Sequence, residues 1–175
     1  MHILATLALD STGYRLLLLG HLLCVIVGFG STFVYPFLGI EASKRRGAIG
    51  AAMTETANHI GHIVTSPFIL ASGVFGALLV AVGAYDWSDR FVQISIPLFL
   101  IAVAFSFGVH QPNLKRMEEL GNELAAMGPP PAGSAGGPPP QAVEMERRGK
   151  AAARNGGILH VMFAVLLVLM VWRPL

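Results

Sequence analysis

Residues 16–40 read LLLLGHLLCVIVGFGSTFVYPFLGI, 25 positions without one Asp, Glu, Lys or Arg. About 20 apolar residues in a helix cross the roughly 30 Å of bilayer hydrocarbon, and lipid forces every backbone N–H to bond within the segment. The stretch therefore reads as a membrane-spanning helix. Arg15 is the first positive charge after the amino terminus, and no small-residue cleavage pattern follows the apolar run, so the segment is expected to be retained and not removed as a signal peptide.

Three further charge-free stretches lie at 56–85, 91–114 and 155–172. The last is short but, in ILHVMFAVLLVLMVW, wholly apolar, and Arg154 and Arg173 bound it. Four spans follow, at approximately 15–40, 57–84, 91–113 and 155–173, in one membrane domain. The expected fold class is all-α, a polytopic membrane protein built as a four-transmembrane-helix bundle. Composition agrees: 54% of the 175 residues are hydrophobic and 13% charged, against roughly 25% charged in an average soluble domain. Mean hydropathy is +0.63. A chain this short cannot hide that apolar excess in a core, because too much of it is surface.

Charge sets the expected orientation. With four spans, the termini and the 86–90 turn share one side, which holds Arg15, Arg90 and Arg173. The other side holds Lys44, Arg45, Arg46, Lys115, Arg116, Arg147, Arg148, Lys150 and Arg154. Positive residues mark the cytoplasmic side, so both termini are expected outside a bacterial-type plasma (inner) membrane. A net charge of +2 is too mild to imply nucleic acid. Cys24, the single cysteine, excludes an intrachain disulfide and reads as a small buried hydrophobe.

The connections differ in kind. Residues 41–55 read as a basic turn that leads into an interfacial start of the second helix. Asp86 and Ser88 open a tight hairpin as turn or N-cap residues. KRMEELGNELAAMG, from residue 115, continues the third helix as an amphipathic stub, and EMERRGKAAAR, from 144, restarts a helix that runs into the fourth span. Between them, Pro and Gly dominate 128–140, which is expected to be a flexible tether.

Contacts between membrane helices favour small or mildly polar residues. Stripes of that kind run through His21, Cys24, Gly28, Ser31/Thr32 and Tyr35; through His59, His62, Thr65/Ser66, Ser72/Gly73 and Gly76; through Ser95, Ala102, Ser106, His110 and Asn113; and through Gly156, Gly157, His160 and Ala164. Packing accounts for most of these positions. The histidines ask for more, since every span has one in it or at its edge, while His2 reads as a solvated terminal residue. Neutral imidazole is buried without the full cost of a charge and ligates haem iron, copper or zinc. His62 and His160, with His110 and more weakly His21 as alternatives, are the candidate cofactor ligands, for haem b or a transition metal. Glu55, His59 and His62 form a weaker candidate metal set along one helix face. Interhelical hydrogen bonding is the competing role for all of them. No triad, phosphate loop, dinucleotide fingerprint or two-Cys zinc pattern is present, so no complete catalytic motif can be written.

On the pieces GHLLCVIVGFGSTFVYP, HIGHIVTSPFILASG and GGILHVMFAVLLVLMVWRP, the chain resembles a bacterial family of integral membrane proteins of unknown function. More distantly it is similar to the four-helix copper-resistance D and HemJ-type protoporphyrinogen oxidase group. His21 and Pro36 match the HemJ-like pattern, and Phe37 stands where that pattern has a basic residue. The resemblance implies the four-helix fold and a haem role. From the residues alone, three functions are in play: an accessory component of a membrane complex or homo-oligomer, a haem or metal redox protein, and a small transporter or proton relay. The lipid bilayer is a partner in each.

Overall fold

The computed structural model describes residues 11–45, 47–83, 85–128 and 137–172. Most of the 128–140 tether lies outside them, as does His2. The fold class is all-α, and the described residues contain no strand. The helices are α1 (Thr12–Thr32), α2 (Tyr35–Lys44), α3 (Ala48–Ile60), α4 (Ser66–Ala81), α5 (Arg90–Phe105), α6 (Gln111–Met127) and α7 (Pro140–Trp172). They join into four helical stretches long and apolar enough to cross a membrane: Thr12–Lys44, Ala48–Ala81, Arg90–Met127 and Pro140–Trp172. Each outruns its charge-free core. Helix covers most of the basic turn expected over 41–55, since α2 runs to Lys44 and α3 starts at Ala48; before α3, Gly47 takes a φ of 76°, a left-handed conformation that suits glycine.

Prolines explain where the helices lose regularity. A proline ring in a helix collides with the carbonyl four residues earlier. For Pro67 that is Ile63, and for Pro112 it is Gly108; both sit in turns widened to π-helical bonding, Gly61–Thr65 and Ser106–His110. Widening the turn moves the offending carbonyl aside. Pro36 follows a turn at Phe33–Val34 that separates α1 from α2. Pro97 lies inside α5 without such relief.

Two compact units result. The first comprises residues 1–32, 63–103 and 160–175. In it α1 and α4 run antiparallel, and a Cβ placed on Gly28 would stand 2.9 Å from the Ile69 backbone nitrogen. The backbones approach that closely because position 28 has no side chain, the small-residue packing that membrane helices favour. Gly20 lies under the Phe75 ring, Gly73 under Phe99 and Gly76 under the His21 imidazole. Phe29 of α1 meets Phe163 of α7 edge to face. The hairpin to α5 is closed by Asp86, whose carboxylate accepts from the Ser88 amide at 2.9 Å and from its hydroxyl at 2.8 Å. These bonds hold the Asp86 carboxyl below the usual carboxylate range. Asp89, not Ser88, is the residue before α5, and its carbonyl takes the Gln93 amide.

The second unit comprises 33–62 and 104–159. Leu120 of α6 is fully buried in it. Asn58 of α3 donates to the Leu114 carbonyl at 3.3 Å and to Glu118 at 2.7 Å. Asn113 of α6 donates to the Arg148 carbonyl of α7 at 3.0 Å and accepts from its guanidinium at 3.3 Å. The amphipathic stub and the restarted helix read from sequence are therefore both present and tied side by side. Glu144 accepts from Arg148 at 2.7 Å. That bond, with Arg116 and Arg147 nearby, holds the Glu144 carboxyl below its ordinary range.

Two predictions follow from this packing. Gly28→Val should destabilise the protein by about 1–3 kcal/mol, the usual cost of overpacking, whereas Gly30→Ala, which meets open space, should leave it unharmed; unfolding in detergent measures both. Because the folded pKa of Glu144 is depressed, its contribution is present above the ordinary carboxylate pKa of about 4.3 and is lost as pH falls through the lower folded value. The gap in thermal midpoint between wild type and Glu144→Gln should accordingly narrow between pH 7 and pH 3.

Candidate functional site

The first helix places its side chains as its spacing implies. His21, Cys24 and Gly28 are buried on α1, and Ser31 and Thr32 are half-buried one turn further. His21 is 8% exposed, and its Nδ1 lies 2.9 Å from the Ser72 carbonyl of α4. A carbonyl only accepts, so Nδ1 carries the proton and, in a neutral ring, the lone pair sits on Nε2. Ser31 Oγ donates to the Gly28 carbonyl and lies 2.8 Å from Thr65 Oγ1. Thr32 Oγ1 donates to the Phe29 carbonyl and lies 3.2 Å from Nε2 of His160. Polar groups from α1 thus reach α4, the π turn before it, and α7 in succession, all inside the first unit.

His110 ends its π turn half-buried, with Cε1 3.9 Å from where a Cβ on Gly156 would lie, inside the second unit. His59 and His62 behave otherwise. Both are exposed, as is Glu55. The stripe drawn through His59, His62 and Thr65 does not hold as one inward face. At 3.6 residues per turn, three residues advance about 300°, already 60° short of closing, and a π turn needs more residues per turn, so His62 falls further from the Thr65 face. The inward positions preceding Thr65 are instead Gly61, Asn58, Thr54 and Ala51, all half-buried.

The fourth helix also differs from its small-residue reading. Gly157 and Ala164 are exposed, and the buried positions are Asn155, Leu159, Phe163, Leu166 and Leu169. They recur at intervals of three and four, so the signal was present in the sequence, but in residues that a membrane helix equally turns to lipid. Asn155, 3% exposed, and Asn58 are polar contacts that the histidine reading passed over.

Among the described residues, no three or more His, Cys, Asp or Glu side chains stand together as a metal-binding group. Glu55, His59 and His62 are neighbours on a helix surface and do not converge. The arrangement's evident chemistry is hydrogen bonding between helices: an imidazole on a carbonyl, hydroxyl on hydroxyl, and hydroxyl beside imidazole. Such bonds in membrane proteins are worth about 0.6 kcal/mol on average, with a maximum near 1.7. A double-mutant cycle of Thr32→Val and His160→Phe should return a coupling of that order, measured by unfolding in detergent. Compared with protein-family models, curated proteins and solved structures, the chain matches none of them.

Proposed function

We propose that this chain is a non-catalytic accessory component of a membrane complex, docking through the exposed face that carries Glu55 and His59 of α3 and His62 of the turn after it. That face is the observation behind the reading. Ionisable residues at membrane depth normally turn to a bundle interior or a watery cavity, because lipid solvates them poorly. Here His59 and His62, at the start of the second span, are exposed with Glu55 just before it, while the inward polar groups bond to one another, so the outward set suits the surface of a second protein. In this reading the complex lies in a bacterial-type inner membrane, with both chain termini on the non-cytoplasmic side.

Photo-crosslinking tests it. A photoreactive residue at His59 or His62 should give one dominant protein adduct, of doubled mass if the partner is a second copy. The same probe at Leu100 or Ile101, exposed on α5, should label lipid. Lipid labelling at all four positions would count against the proposal.

A second reading, a b-type haem protein, draws on the HemJ-like resemblance and on one feature of the site. The Nδ1–H of His21 rests on a carbonyl, the way metal-ligating imidazoles are oriented, with Nε2 as the coordinating nitrogen. Under this reading, protein purified with ample haem shows a Soret band that His21→Ala or His160→Ala abolishes. A colourless, metal-free preparation removes it.

A further inference from the structure

In the second unit, an apolar trough of about 500 Å³ runs between α2 and α3. Leu38 lines it from α2, and Ala48, Ala52, Met53, Ala57 and Ile60 line it from α3. Three of these residues are alanines, too short to fill the space between two helices. From Ala48 to Ile60 the trough extends about 18 Å at 1.5 Å per residue, enough to pass the headgroup layer of about 5–8 Å and run about 10 Å into the hydrocarbon.

Its upper end is basic. Lys44 and Arg45 have side chains 63% and 55% exposed, and they share one carboxylate, Glu41, at 2.9 and 3.5 Å. Two cations against one anion leave a positive charge uncompensated. The Arg45 guanidinium lies 3.6 Å from the sulfur of Met53, so it stands over the trough wall. Both residues follow Ile40, where the first charge-free stretch ends, by four or five positions, or about 6–8 Å along a helix. That distance is the depth of the headgroup layer, since the polar regions add about 5–8 Å on each side of the hydrocarbon. Phe37, Ile40 and Ile49 around this end are 69%, 53% and 64% exposed, an apolar surface that lipid covers without cost.

We propose that the α2–α3 hairpin binds one anionic phospholipid, with an acyl chain along the trough and the phosphate held by Arg45 and Lys44. The site joins the two parts of such a molecule at the right separation. Apolar length for a tail ends where a guanidinium fork, matched in shape to a phosphate, begins. A protein helix laid in the trough would bury the same alanines but would make no use of the two cations. The proposal does not depend on the accessory role.

Native mass spectrometry of the full chain in detergent tests it, with dioleoyl phosphatidylglycerol and dioleoyl phosphatidylcholine supplied in equal amounts. The wild type should retain one phosphatidylglycerol with a preference of about fivefold or more, as expected for a headgroup charge attracted by Lys and Arg. Lys44→Gln/Arg45→Gln should erase the preference. These exposed ion pairs contribute little to folding, so the variant keeps its helix content by circular dichroism. Ala52→Phe, which fills the trough, should lower retention of both lipids, and sn-glycerol 3-phosphate, a headgroup without tails, should not displace the bound lipid. Equal retention of both lipids by the wild type would overturn the site, as would undiminished preference in the double variant or displacement by the tailless headgroup.

Discussion

The approach of α1 to α4 at Gly28 is the constraint on which the first unit depends. Lipid tails are as apolar as leucine, so burial alone does not drive two membrane helices together; contact must come from close packing and hydrogen bonds. A glycine facing the Ile69 backbone supplies the first. The second follows from it, since only at that separation can His21 reach a carbonyl on α4 and Ser31 reach Thr65. The same small residues that bring the backbones together thus decide which polar groups find partners. Replacing Gly28 acts on every one of these bonds at once, although it forms none of them.

How legible this was depends on the helix. The α1 stripe is readable because small and polar residues recur at strict helical spacing; the structure buries His21, Cys24 and Gly28 and half-buries Ser31 and Thr32. The four-span architecture was readable from charge-free length alone. The two helical extensions beyond the charge-free stretches are readable because KRMEELGNELAAMG and EMERRGKAAAR are amphipathic. Legibility failed in two places, for different reasons. On α7 the inward face is Leu159, Phe163, Leu166 and Leu169, and in a membrane helix such residues suit lipid and protein equally, so composition carries no sidedness. On α3 the failure was geometric: a stripe was carried through His62 as if the helix were uniform, and it is not.

That non-uniformity has a definite source, and it links the prolines to the histidines. Pro67 and Pro112 each force the preceding turn open, and each opened turn contains a histidine, His62 in Gly61–Thr65 and His110 in Ser106–His110. An opened turn changes how far around the axis each residue is carried, so it sets the face on which everything before it lies. His62 turns outward while His110, at the far end of its own turn, remains half-buried. The two imidazoles therefore face different surroundings although the sequence offers them in similar settings, each a few residues ahead of a proline.

Imidazoles are costly to leave against lipid when charged and adaptable when neutral, so their direction matters more than their number. If the helix preceding Pro67 were regular, His62 would lie nearer the Thr65 face. The widened turn carries it further from that face, and it is exposed as His59 and Glu55 are. The histidines thus fall into an inward group, His21 and His160, bonded within the first unit, and an outward pair, His59 on α3 and His62 in the turn after it. The first group has the geometry of interhelical ties, and the second has the exposure of a contact surface. Neither property belongs to histidine as such: the His21 tie depends on the close approach of α1 and α4 at Gly28, and the placing of His62 on the turn that Pro67 widens.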